Sequence, residues 1–272
     1  MKDILTAPFV QEVCKITGNM YRLGWDERNG GNLSCLLDEK EVGAYLDTSQ
    51  TLRTFPMAFD AGALAGKIFI VTGTGKYFRN IPDNPAENLG IIRVAADGRS
   101  VGLLWGYEGG GAPTSELPAH FRSHIVRLEK DPGHRVVMHC HATNVVAMTF
   151  IHPLDERAFT RTLWQMCTEC LVVFPDGVGV LPWMLCGNDE IGVATAEKMR
   201  EYRLVVWGQH GIFGAGKNID EAFGLIETVE KAAEIYLKIC RSPILQSITD
   251  EELQILAKAF QVTPKEGFLT AK

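Results

Sequence analysis

The stretch from Thr114 to Asn144 restricts the fold more than any other. It opens as Thr114-Ser115-Glu116-Leu117-Pro118-Ala119-His120 and closes as Val136-Val137-Met138-His139-Cys140-His141-Ala142-Thr143-Asn144. The first half reads as a helix starting at Thr114 or Ser115, with Pro118 tolerated in its first turn. The second half reads as a buried strand ending in two imidazoles. Side chains alternate between the faces of a strand, so His139 and His141 point the same way, with Cα atoms roughly 6.5–7 Å apart. At that spacing they either converge on one cation or stand as two satisfied histidines near a loop. A catalytic Zn2+ usually takes three protein ligands, so the metal reading needs a third from elsewhere in the chain.

The remaining ligand-type residues narrow the search. Glu116, His120 and His124 recur at helical spacing on one face. The outer two lie about 12 Å apart along a helix axis, too far to share an ion, so His120 and His124 read as packing or hydrogen-bonding residues. His210 lies in Gly208-Gln209-His210-Gly211, just after the apolar strand Leu204–Trp207, and is the natural third imidazole. Cys140 alternates to the opposite face from the two histidines, which weakens it as a fourth ligand. Cys167-Thr168-Glu169-Cys170 is a formal C-x-x-C without a second pair or a thioredoxin-like setting, and Glu169 reads as entering a strand at Leu171–Phe174.

The rest of the chain mixes helices and strands without a β-α-β rhythm. Helical periodicity covers 6–24, 156–166, 189–202, 218–240 and 249–260, with capping-box patterns at Asn218/Glu221 and Thr249/Glu252. Strand-like runs cover 33–37, 68–71, 89–94 and 100–105, the last two joined at an Asp97-Gly98 turn. Residues 38–66 show no clear period and read as an insertion with one short strand. The pattern fits an α/β layered domain with a mostly antiparallel central sheet better than a doubly wound one.

Two loops qualify as anion cradles. Asn29-Gly30-Gly31-Asn32 is either a plain turn or a loop whose amides face an anion. Thr72-Gly73-Thr74-Gly75-Lys76 lacks the Walker spacing, yet small residues among glycines permit close backbone approach to a phosphate. Lys76 could in principle form a Schiff base, although nothing around it singles it out. The formal net charge is -6 and no basic run occurs, so neither nucleic acid nor a membrane surface is expected as a partner. No signal pattern or bilayer-length apolar run is read, and seven cysteines in such a chain suggest reduced thiols in a cytoplasm.

Taken together, the blocks at 24–32, 72–76, 113–120, 138–144, 168–177 and 210–211 resemble the class II, zinc-dependent aldolases of sugar phosphates, in register over nearly the whole chain. The wider family also holds fuculose-phosphate aldolases, ribulose-phosphate epimerases and the non-catalytic heads of adducins. The resemblance implies a three-layer α/β/α domain of the class II aldolase and adducin type. It implies one zinc ion per subunit on His139, His141 and His210, with Glu116 as catalytic base. It implies that Asn29, Asn32, Thr74, Thr114 and Ser115 surround the substrate phosphate. It also implies a homotetramer with sites at subunit interfaces, where Glu169 reaches a neighbour's site. The small hydroxyl residue at Thr74 is more often Ser in relatives, and residues 38–66 and 107–112 match loosely.

The activity so implied is reversible cleavage of L-rhamnulose 1-phosphate to dihydroxyacetone phosphate and L-lactaldehyde. Its rivals are an aldolase or 4-epimerase acting on fuculose or ribulose phosphate, an adducin-like scaffold without catalysis, and a closed structural zinc site. A scaffold has no need of His139, His141, His210 and Glu116 together, and a closed structural site more often uses four ligands including Cys.

Overall fold

The computed structural model describes residues 1–270. Its centre is a nine-stranded sheet, counted among the described residues, formed by β1 (Asn32–Leu37), β2 (Arg53–Pro56), β3 (Ile68–Thr72), β4 (Leu89–Val94), β5 (Ser100–Gly106), β6 (Val136–Cys140), β7 (Gly179–Leu181), β8 (Leu204–Trp207) and β9 (Gly211–Gly216). The order is β2-β5-β4-β3-β1-β6-β9-β8-β7. The β7–β8 pair is parallel and the others are antiparallel. β6 therefore runs through the middle, flanked by β1 and β9, and both neighbours carry site residues to its C-terminal end.

Helices cover both faces, giving the expected three layers. They are α1 (Pro8–Arg22), α2 (Glu39–Gly43), α3 (Pro85–Asn88), α4 (Leu117–Lys130), α5 (Thr143–Ile151), α6 (Glu156–Met166), α7 (Thr168–Val173), α8 (Asp189–Met199), α9 (Ile219–Ile239) and α10 (Asp250–Phe260). Alternation along β6 divides the core. Met138 and Cys140 join the larger apolar cluster with residues of α1, α5, α6 and α9, whereas Val137 packs with Ala119, Val126 and Met199 from α4 and α8. His139 shares the face of Val137, so it looks toward α4.

Several boundaries depart from the sequence reading, each for a local reason. α4 begins at Leu117 and not at Thr114 or Ser115, because Thr114 accepts the Glu116 N–H through its hydroxyl at 3.3 Å and bends the chain before the helix. Residues 168–173 are helical, not a strand: Thr168 to Val173 follow an extended Cys167, and the segment packs on α9 and α10. A short apolar run fits either element by periodicity alone. Residues 38–66 contain the expected short strand, β2, and also α2, which Asp38 caps at the N–H groups of Lys40 and Glu41. Asn218 caps α9 at Glu221, but the Glu221 carboxylate turns to Arg203 and to the Lys217 N–H, so the reciprocal half of the box forms only at Thr249/Glu252.

α5 follows directly on His141, and its first turn is not closed by Thr143 or Asn144. Glu230, in the middle of α9, receives the N–H groups of Asn144 and Val145 at 3.0 and 2.9 Å and the Asn144 amide at 2.8 Å. A carboxylate at a helix N-terminus satisfies otherwise orphaned donors and opposes the positive end of the dipole. We expect Glu230→Ala to lower stability by about 1–3 kcal/mol, read as a lower urea midpoint.

Candidate active site

Three elements deliver the imidazoles. His139 comes from β6, His141 from the residue just past it, and His210 from the turn between β8 and β9. That turn is tight: Gln209 adopts the left-handed conformation (φ 56°) and is anchored by its N–H to the Thr149 hydroxyl at 3.0 Å. The ligand-type nitrogens of the three histidines lie within 4.8 Å of one another. Among the described residues they form a group able to hold a metal ion.

The orientation of each ring favours this use. His139 is fully buried, and its Nδ1 lies 3.1 Å from the Ile212 carbonyl, which can only accept. Nδ1 therefore carries the ring proton, and Nε2 presents a bare lone pair. That Nε2 is buried with no hydrogen-bond partner. A buried polar atom left in this state costs about 1–3 kcal/mol, and a bound cation removes the cost. Burial, then His210 and His141, pushes the His139 imidazolium form far out of reach, so the ring stays neutral. Burial likewise lowers His210 to about 4. Neutral imidazoles are the ligand form, and the donor set suits a borderline ion such as Zn2+.

His141 is held from outside. Its Nδ1 lies 2.9 and 3.1 Å from the two carboxylate oxygens of Glu27. The sequence reading missed this residue, because one acidic side chain in a polar loop looks like any solvated charge. A carboxylate behind a histidine fixes its tautomer and the orientation of its ring. Glu27→Gln should weaken metal binding about 10-fold or more, measured by titration in metal buffers. Gly30 and Gly31 let this loop close on the histidines. A Cβ at Gly30 would stand 2.8 Å from the His141 ring, and Gly31 has φ +74° with its Cβ direction blocked by Asp26.

Glu116 completes the cluster. Its carboxylate oxygens lie 3.8 Å from His139 Nε2 and 4.0 Å from His210 Nε2. Burial raises its pKa, while the Asn32 amide and His141 hold it down. The amide donates to Glu116 Oε2 at 2.9 Å. Asn32 thus has its amide nitrogen on the carboxylate and its amide oxygen on His120, inside the site wall.

A cavity of about 300 Å³ opens over this cluster. Asn29, Thr74, Thr114, Ser115 and Cys186 are among its lining residues, so the two candidate anion loops face one space. The 72–76 loop is stitched to the segment before α4 by an antiparallel bridge between Gly73 and Pro113 and by the Thr114 N–H on the Thr72 carbonyl. Cys186, which the sequence reading passed over, brings its thiol near Glu116 and His210. Lys76 points elsewhere and pairs with Glu87 at 2.8 Å. Glu169 is not part of this cavity: it lies in the first turn of α7 and accepts from the Cys167 thiol. Cys140 is buried on the far side of β6, and burial pushes its thiol up.

Comparison with known proteins places the whole chain among relatives. The family model "Class II Aldolase and Adducin N-terminal domain" matches residues 11–237. A protein of Listeria monocytogenes named rhamnulose-1-phosphate aldolase is 64% identical over 269 residues, covering 98% of each chain. Proteins of the same name from Enterococcus faecalis and Mannheimia succiniciproducens are 61% and 50% identical, covering 99% of this chain and 97% and 100% of theirs. Among solved structures, a sugar-phosphate aldolase from Thermotoga maritima superposes with TM-score 0.72 at 27% identity, covering 86% of this chain and 97% of its own. An L-fuculose 1-phosphate aldolase shares the fold at TM-score 0.59 and 21% identity, covering 93% of this chain and 95% of its own. The chain belongs to the class II aldolase and adducin N-terminal domain family.

Proposed function

We propose that this protein is a zinc-dependent lyase that reversibly cleaves L-rhamnulose 1-phosphate to dihydroxyacetone phosphate and L-lactaldehyde, in cytoplasmic L-rhamnose catabolism. One observation carries the reading: three convergent imidazoles, one with a buried bare nitrogen, stand against a buried carboxylate at the floor of a polar cavity. Full-length relatives named for this reaction support the choice of sugar.

His139, His141 and His210 would hold the metal. Bound zinc supplies Lewis acidity that stabilises negative charge on a ketone oxygen. Glu116 handles the carbon-bound proton. In the cleavage direction the C3–C4 bond of the ketose breaks, its electrons pass toward the C2 carbonyl, and Glu116 returns a proton to C3. In synthesis it removes that proton. The base need not be strong, because the adjacent carbonyl acidifies the C–H bond. Asn32 fixes which carboxylate oxygen is occupied and leaves the other free. Asn29, Thr74, Thr114 and Ser115 would grip the phosphate with neutral donors, an arrangement suited to an anionic ligand on a chain of net charge -6.

The proton of the C4 hydroxyl, which becomes the aldehyde, needs a second group. We assign it to Glu169 of a neighbouring copy in a homotetramer. Trp183 and Leu185 precede Cys186, which lines the cavity, and are 65% and 64% exposed, an apolar surface of the kind that an interface covers. Light scattering on the purified protein tests the tetramer. We also take the whole chain as one aldolase domain with residues 38–66 inserted at the sheet edge.

Assaying dihydroxyacetone phosphate release from L-rhamnulose 1-phosphate, with L-fuculose 1-phosphate alongside, tests the sugar. Rhamnulose phosphate should be preferred in kcat/KM. Preference for fuculose phosphate, or 4-epimerisation of ribulose 5-phosphate without aldol cleavage, would contradict the assignment.

A further inference from the structure

Behind Glu116 a chain of buried polar side chains runs through the layer between β1 and α4. Glu116 Oε2 accepts from the Asn32 amide at 2.9 Å. The Asn32 amide oxygen meets His120 Nε2. His120 Nδ1 lies 2.7 Å from Ser34 Oγ, and Ser34 Oγ lies 2.8 Å from His124 Nε2. Ser34, His120 and His124 are fully buried. Asn32 and Ser34 are alternate residues of β1 and so share a face, while His120 and His124 lie one turn apart on α4.

The direction of every proton in this chain follows from its first member. A carboxylate only accepts, so the Asn32 nitrogen must face Glu116 and its oxygen must face inward. The oxygen then needs a donor, which makes His120 Nε2 the protonated ring atom. Burial lowers both imidazoles to about 3, so each carries one ring proton. His120 Nδ1 is therefore bare and accepts the Ser34 hydroxyl proton. Ser34 Oγ accepts in turn from His124 Nε2–H. His124 Nδ1 should then be bare, and it is the ring atom that has no partner. Every bond along the chain is satisfied in this sense. In the reverse sense the Asn32 oxygen would oppose the Glu116 carboxylate.

We propose that His120, Ser34 and His124 are positioning residues for the proton transfer at Glu116, locking the Asn32 amide with its nitrogen on the carboxylate. None of the three lines the cavity, so they act through Asn32. The inference rests on Glu116 being the base, and the experiment separates the two ideas.

The readout is exchange of deuterium from solvent into dihydroxyacetone phosphate, followed by NMR without any aldehyde. It reports the Glu116 step alone. His120→Phe removes the donor to Asn32 and should slow exchange about 10–100-fold while zinc content stays near that of the parent. His120→Gln places an amide N–H toward the same oxygen and should recover most of the rate. Ser34→Ala frees the His120 tautomer and should slow exchange several-fold, which covers the case in which His120→Phe folds poorly. Parental exchange in both His120→Phe and Ser34→Ala, with Glu116→Gln inactive, would overturn the positioning role. Equal loss of zinc and exchange that His120→Gln does not repair would also overturn it. Parental exchange in Glu116→Gln would instead remove the base itself.

Discussion

Glu116→Gln should retain zinc and phosphate binding yet lose turnover by about 10²–10⁴-fold. The substitution keeps the size of the side chain and an oxygen that can accept from Asn32 at the distance now seen, 2.9 Å. It removes the ability to take or return a proton. The three imidazoles of the candidate metal site should keep their places, because His139 and His141 are oriented by Ile212 and Glu27, not by Glu116. KM should therefore change less than kcat. Near-normal kcat in this variant would show that another group moves the proton.

His139→Ala should abolish both metal binding and activity. It leaves two imidazoles, one ligand short of the usual catalytic set. His139 also has structural work: its ring stacks on Phe213 with centroids 4.4 Å apart and lies 5.2 Å from Trp207. Removing it opens a cavity and strands the Ile212 carbonyl, a loss of about 2–4 kcal/mol. Metal analysis with a folded-state probe such as near-ultraviolet circular dichroism separates the effects. A folded variant that still carries stoichiometric zinc would contradict the ligand assignment.

The candidate metal cluster was legible in the sequence to different depths. The two-residue period of a strand is enough to put His139 and His141 on one face. His210 is distant in sequence, and only the antiparallel pairing of β6 with β9 brings its turn alongside. That pairing was hard to foresee because β9 reads Gly-Ile-Phe-Gly-Ala-Gly, a glycine-rich run that lacks strand character. Glu27 and Cys186 carried no signal beyond being polar loop residues. The i, i+4, i+8 stripe of Glu116, His120 and His124 was visible, and the structure sets Glu116 beside His139 and His210 while both histidine rings meet Ser34. The sequence could not show that Ser34 of β1 would seat itself between two rings of α4. The error at Leu171–Phe174 has a plain cause: a four-residue apolar run rich in valine satisfies a strand template equally well, and packing against α9 and α10 decided for the helix.

The central claim is that cleavage depends on a metal held by His139, His141 and His210. Its most direct test follows dihydroxyacetone phosphate release from L-rhamnulose 1-phosphate before chelation, after complete metal removal, and after zinc is returned. The account predicts strong release that chelation abolishes and one equivalent of zinc per subunit restores. Release that persists in metal-free protein would contradict it, and would move the chemistry to a lysine imine.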